Sequence, residues 1–195
     1  GEMLIYMTKE KFYNAVWMIR NIEGDWKNPV NITPQIGSDG DCYPTSISPE
    51  GDTLYLVKLN NFGSNIYVSY FDKNVWSKID KLPRGINSRF WETHASISKD
   101  GKSLYFVSNR KDGLGGRDIY VSKLNDRGKW GGPLNLGPII NTIYNEETPF
   151  ISDNGKILYF ASQGHSGMGG FDIYKSVKQD DDSWSVPINL GYPVN

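Results

Sequence analysis

Carboxylates recur along this chain where they could work together: Asp41, Glu92 and Glu146, with Glu147 beside the last, each stand at the head of a short β-type run. Carboxylates converging from several such runs could share a proton, hold a divalent cation or flank a glycosidic bond. Gly37-Ser38-Asp39-Gly40-Asp41 lacks the Asp-x-Asp-x-Asp-Gly pattern of a calcium loop. His94 and His165 have no His, Cys or Glu partner at a zinc-like interval. Neither metal nor cofactor is expected. No Gly-x-Ser-x-Gly elbow occurs, so Ser48, Ser98 and Ser152 read as turn residues and no catalytic residue is expected. The segments KDGLGGRD (111–118) and HSGMGGFD (165–172) hold enough glycine to wrap a phosphate, but each runs into a strand and not into a helix N-terminus. Their glycines are expected to supply positive-φ turns and let Asp118 and Asp172 accept bonds from loop amides.

The elements that must position these residues recur as well. Trp26 to Ser48, Trp76 to Ser98 and Trp130 to Ser152 are each 22 residues apart; Ser98 to Trp130 and Ser152 to Trp184 are 32, and Ser48 to Trp76 is 28. A period of 50 to 54 residues holds about four short strands and their turns, the size of a propeller blade. In the last unit strand a is expected at 148–152, b at 157–162, c at 172–177 and d at 184–190, with a Gly-ending turn Asp153-Asn154-Gly155 between a and b. Runs b and c are apolar at nearly every position, as in a sheet covered on both faces. Full units span 41–91, 92–145 and 146–195, while residues 1–40 supply counterparts of b, c and d but none of a. The expectation is one all-β domain over 1–195, a β-propeller of about four four-stranded antiparallel blades. Its first blade lacks strand a, and the whole is expected to be either part of a larger propeller of six blades or more or a four-bladed ring without its closing strand.

Composition agrees. With 12 Tyr, 6 Trp and 21 Gly in 195 residues, the chain suits strands joined by tight turns. Lys plus Arg number 21 against 22 acidic residues, so no net field draws in nucleic acid or an anionic membrane. The single cysteine, Cys42, has no internal disulfide partner and reads as a small buried residue at the start of strand a. No apolar run approaches the roughly 18 residues of a membrane span, so none is expected in this chain.

The pattern Ser-x-Asp-Gly-Lys-x-Leu-Tyr-Phe-x-Ser from Ser98, followed by Gly-x-Gly-Gly-x-Asp-Ile-Tyr, Trp, Pro-x-Asn-Leu-Gly and Ile-Asn-Thr, resembles the WD-like β-propeller repeat of the TolB type. More narrowly, it is similar to the version that lies between tetratricopeptide repeats and an OmpA-like peptidoglycan-binding domain in Gram-negative envelope proteins. The resemblance implies a periplasmic or outer-membrane-associated scaffold and no shared catalytic residue. In such blades the d–a and b–c connections share one face. That face collects Asp41, Glu92, Glu146, Glu147, Arg89, Trp91, Arg110, Tyr144 and His165. These are the candidate binding residues, for an envelope protein or a cell-wall or glycan ligand. The recurring carboxylates either point into a central channel or accept N–H bonds from an adjacent blade. The alternative function is a propeller-type glycoside hydrolase or sialidase-like enzyme, although Ser98–Tyr105 departs from the sialidase Ser-x-Asp-x-Gly-x-Thr-Trp box. The incomplete first blade leaves an open edge, which favours self-association.

Overall fold

The computed structural model describes residues 2–61, 63–152 and 154–195. Gly1, Phe62 and Asp153 lie outside the described residues, and with them the first position ahead of the opening strand, the centre of the 60–64 loop and the head of the 153–155 turn. The described residues are all-β, in four antiparallel sheets arranged as the blades of a β-propeller. Blade one comprises β1 (Met3–Lys9), β2 (Asn14–Ile22), β3 (Asp25–Trp26) and β4 (Val30–Asn31). Blade two comprises β5 (Cys42–Ile47), β6 (Thr53–Asn60), β7 (Gly63–Asp72), β8 (Val75–Trp76) and β9 (Asp80–Lys81). Blade three holds β10 (Glu92–Ile97), β11 (Ser103–Ser108), β12 (Asp118–Lys123) and β13 (Leu134–Asn135). Blade four holds β14 (Glu146–Ile151), β15 (Ile157–Ser162), β16 (Asp172–Val177) and β17 (Ile188–Asn189).

In the last unit strands b and c fall where the apolar runs place them. Strand a instead begins two residues earlier, at Glu146, and strand d shrinks to Ile188–Asn189 plus an isolated Lys178–Trp184 bridge. The a–b turns form around the repeated serines. The hydroxyls of Ser48, Ser98 and Ser152 accept the amides of Thr53, Ser103 and Ile157, and donate to Asp52, Asp100 and Asn154.

Between blades lie three apolar cores, and each is closed by the repeated tryptophan of the later blade. Trp76 packs with Val16, Met18 and Leu56 between blades one and two. Trp130 rests on the core of Val57, Ile66 and Phe106, and Trp184 packs with Val107, Ile119 and Phe160. Trp26, with no blade before it, is half exposed. Neighbouring inner strands are also tied directly: Ile97 N–H donates to Ser46 Oγ and Ile151 N–H to Ser96 Oγ.

Both ends of the stack are open. Nothing pairs with the free edge of β1 among the described residues, as expected of a blade without strand a, and no strand of blade four packs on blade one. In this chain blade four is therefore covered on one face. Leu158, Phe160 and Tyr174 are buried against blade three, while Phe150, Ile173, Val177 and Ile188 face outward exposed.

Candidate functional site

The strand register corrects one equivalence read from the sequence. Glu92 lies opposite Ser108 and Glu146 opposite Ser162, but the residue opposite Lys58 is Cys42, not Asp41. The carboxylate thus recurs in two blades only. In blade two it is replaced by Cys42, whose thiol burial pushes up to about 12. The partner serine becomes Lys58, which pairs instead with Asp41 at 3.0 Å. The same one-residue offset places Pro44, and not Tyr43, at the position of His94 and Thr148.

Glu92 and Glu146 do not open onto the channel. Both are fully buried, and each closes a d–a loop onto the end of strand b. Glu92 accepts from Ser88 N–H (3.0 Å), Ser88 Oγ (2.5 Å) and Ser108 Oγ (3.0 Å). Glu146 accepts from Thr142 N–H (2.8 Å), Thr142 Oγ1 (2.7 Å) and Ser162 Oγ (2.7 Å). One residue before each of these loop hydroxyls stands an asparagine that anchors the d–a loop to strand c of its own blade. Asn87 bonds both backbone groups of Ile66, and Asn141 both of Ile119. Asn195 does the same to Ile173. This asparagine was missed, although a signal exists: Leu82-x4-Asn87, Leu136-x4-Asn141 and Leu190-x4-Asn195 recur 54 residues apart. Blade one has Gly37 at that position, and Thr33 Oγ1 receives Val16 N–H instead.

Arg110 and His165, one position apart in the repeat, fill equivalent slots. Arg110 is buried; it donates to Gly85 O (3.0 Å), Ile86 O (2.7 Å) and Ser108 Oγ (3.0 Å), and pairs with Glu92 at 3.3 Å. Its guanidinium lies 5.3 and 4.8 Å from the ring centroids of Phe106 and Tyr120. His165 Nε2–H donates to Ile140 O at 2.9 Å, and its ring stands beside Phe160 and Tyr174. Both side chains therefore tie one blade's b–c loop to carbonyls of the blade before it.

The glycine loops do what Asp118 and Asp172 require, by a different route in the first. Asp118 accepts Leu114 and Gly115 amides, and Asp172 accepts those of Met168 and Gly169. Only Gly169 and Gly170 have positive φ; Gly113, Gly115 and Gly116 do not. These three are needed for close approach, because a Cβ on Gly115 would strike the Thr142 and Tyr144 carbonyls. That contact, with Gly116 N–H donating to Tyr144 O at 2.7 Å, brings the b–c and d–a loops together on one face.

Of the rest of the candidate set, Arg89, Trp91 and Tyr144 form the exposed rim of this face, while Glu147 lies half-buried on the inner strand β14. Trp91 is 48% exposed and Tyr144 55%, with Ile143 between blades three and four exposed further. Arg89 is exposed over the Phe90 ring. Beside it, Lys81, Leu82, Arg84, Asn87, Ser88 and Arg89 line a hollow of about 670 Å³. Lys81, Arg84 and Arg89 form no ion pair among the described residues.

A second group lies on the inner strands, and of its members sequence reasoning singled out Glu147 as a candidate and weighed His94, but missed Thr93 and Arg117 and the grouping itself. Tyr43, Thr93 and Glu147 occupy one register position on β5, β10 and β14. Beside them each inner strand carries a bulge, with His94 and Thr148 held at φ of 43° and 48°. Tyr43 and His94 rings are 6.1 Å apart, and Arg117 pairs with Glu147 at 2.6 Å. Burial holds the His94 imidazole below its ordinary range and pushes the Tyr43 phenol up to about 12. Three different residue types at one repeat position leave no periodic signal to find.

No family model matches the sequence, and no curated protein is similar to it. Solved structures are. A TolB-assigned protein from Agrobacterium tumefaciens superposes with a TM-score of 0.65 at 17% identity, covering 98% of this chain and 61% of its own. TolB from Acinetobacter baumannii gives 0.58 at 16% identity, over 90% of this chain and 38% of its own. The fold is that of the TolB-type β-propellers. A thermostable family-43 glycoside hydrolase is also similar, at 0.53 and 16% identity over 98% of this chain and 73% of its own. The fold thus serves both kinds of protein. The chain spans less than two thirds of the length of either of the first two structures.

Proposed function

We propose that this chain is a non-catalytic binding module of the cell envelope, periplasmic or outer-membrane-associated, whose d–a and b–c loop face docks a protein partner. The observation that carries the reading is the rim: three cations without an ion-pair partner among the described residues around a hollow, on a face that also exposes Trp91 and Tyr144. Such a surface fits a partner presenting acidic side chains beside apolar ones. The enzymatic alternative needs two carboxyl groups free to reach a sugar. Glu92 and Glu146 are enclosed and fully engaged, which favours the binding reading.

A partner captured from envelope extract should bind Trp91→Ala and Arg89→Ala each roughly 30-fold more weakly, the equivalent of about 2 kcal/mol for a central contact. Binding should also fall as salt rises, because the hollow is cationic. Asp181→Ala, on the opposite face, should bind as the parent does. Isothermal titration of the three variants decides the matter: a loss at Asp181 without loss at the rim would reject this face.

The open ends add a second partner, another blade of the same repeat. Tyr159, Ala161 and Ile173 on the outer face of blade four stand where Tyr105, Val107 and Ile119 are covered in blade three; Leu4 and Trp26 on blade one stand where Leu54 and Trp76 are buried. Both ends thus expose apolar positions that are buried at the inner junctions, and we expect this chain to self-associate head to tail. Light scattering should show mass rising with concentration, and Trp26→Glu or Phe150→Glu should hold the chain monomeric. A parent that stays monomeric at 100-fold dilution and at millimolar concentration alike would refute it.

A further inference from the structure

Beyond the rim and the stacking of the open ends, the side of β1 left unpaired among the described residues is built as a receiving site. β1 keeps one unbroken register with β2 from Met3 to Lys9, and Met3–Met7 carries neither charge nor proline. Edge strands that avoid pairing are blunted by charges, prolines or bulges, and this stretch has none of them. Asn21 N–H donates to Glu2 O, so by alternation Leu4 and Tyr6 turn their backbone groups toward β2 while Met3, Ile5 and Met7 turn theirs to the empty side. In the other blades the first of these positions is engaged: the Ser48, Ser98 and Ser152 amides donate to the Thr53, Ser103 and Ile157 carbonyls, where blade one has Met3. The empty side is also a space. Met3, Leu4 and Ile5 face Pro44, Thr45 and Ser46 of β5 across a groove of about 190 Å³, and a wider hollow of about 490 Å³ shares Met3, Ser46 and Ile47 with it.

We infer that this groove takes up an extended segment of a partner chain by strand addition, and that the segment carries a Ser-Ile pair. The repeat fixes the pattern. Ile47, Ile97 and Ile151 lie opposite Leu54, Leu104 and Leu158, so a strand arriving in the same register sets an isoleucine opposite their counterpart Leu4, which is otherwise 51% exposed. The residue before it lies opposite Ile5 and faces blade two. Ser46 and Ser96 hold that position in blades two and three, and their hydroxyls accept the Ile97 and Ile151 amides of the following blade. Ile47 is the first of the three isoleucines and has no such serine before it. It is half-buried where Ile97 and Ile151 are buried. A serine set opposite Ile5 would accept the Ile47 N–H and complete the series. β5, β10 and β14 are 6 residues each, which sets the length of the segment. A second copy of this chain is not its source: there β5, β10 and β14 are each paired with the strand b of their own blade, and β14 has Phe150 in place of the serine.

The probe is a fluorescein-labelled peptide with the sequence of residues 92–98, ETHASIS, titrated with the whole chain and followed by fluorescence polarisation. It should bind saturably, with a Kd of about 1 mM or below. Ser96→Val in the peptide should weaken binding about fivefold or more, because it leaves the Ile47 N–H without an acceptor. Ile97→Asp in the peptide should weaken it about tenfold or more by setting a charge against Leu4. Hydrogen exchange locates the contact: on saturation the Met3, Ile5 and Met7 amides should slow about tenfold or more, while Leu4 and Tyr6, already facing β2, should change little. Met7→Pro removes an outward N–H that β2 does not use, as an edge strand tolerates, and should abolish binding by the folded chain. Absence of saturable binding, equal affinity for the Ser96→Val peptide, or unchanged exchange at Met3 and Ile5 would each overturn the inference, whether or not Met7→Pro folds. Trp26→Glu and Trp91→Ala should leave peptide affinity unchanged, which keeps this test separate from those of the stacked ends and the rim.

Discussion

Arg110→Met should cost about 3–5 kcal/mol of folding stability, the range for breaking a buried ion pair from one side. The variant leaves the Glu92 carboxylate enclosed without its cation and frees the Gly85 and Ile86 carbonyls from their donor. Urea unfolding followed by tryptophan fluorescence measures it, and a midpoint within error of the parent would contradict the account. Glu92→Gln in the same background should recover part of the loss, since it removes the stranded charge. His165→Ala fills the corresponding test in blade four. It forfeits one neutral bond to Ile140 O and a ring contact, and should cost only about 1–2 kcal/mol. Any binding defect of an Arg110 variant would then report the joint between blades two and three and not a contact with a partner.

Gly115→Ala should be comparably severe, about 3 kcal/mol or more, although it adds a single methyl. The methyl would meet two backbone carbonyls, of Thr142 and Tyr144, and backbone cannot swing aside as a flexible side chain can. The b–c loop of blade three would lift from the d–a loop and break the Gly116–Tyr144 hydrogen bond. Thermal unfolding of this variant beside Gly132→Ala makes the comparison. Nothing lies within 4 Å of a Cβ at Gly132, and that change should stay within about 0.5 kcal/mol of the parent.

Repeat period and apolar runs were enough to locate the blades, because a strand buried between neighbours leaves a dense signal: ILYFAS and DIYKSV bound their strands to the residue. The tryptophan and serine anchors were legible for the same reason, each having one job in every unit. Register at single-residue precision was not. Asp41 sits beside Cys42 in a loop whose salt bridge to Lys58 replaces the serine–glutamate bonds of later blades, so a carboxylate appears at almost the right place for a different purpose. Nor could the sequence say that Glu92, Glu146 and Arg110 lie beneath the surface while Trp91 and Tyr144 lie on it. Charge and chemistry are visible in a sequence, but which side of a loop faces water depends on the loop packed against it. The inner-strand group was hidden more deeply still. Tyr43, Thr93 and Glu147 share a position but no chemistry, and Arg117 reaches Glu147 from the b–c loop of blade three.

The d–a loops that lead out of the blades are not equally anchored. Blades two, three and four each present an asparagine bonded to both backbone groups of strand c, while blade one offers Gly37 and a lone Thr33 hydroxyl. Its junction with blade two also lacks the enclosed glutamate, with Cys42 in that place. Under tension the molecule would behave as a row of links of graded strength. A pull on the N-terminal end would part blade one from the stack at low force, while the rim and the inner wall of blades two to four stayed intact. The loop leading out of blade one is thus the expected first point of rupture, and it lies apart from the rim on blades two to four.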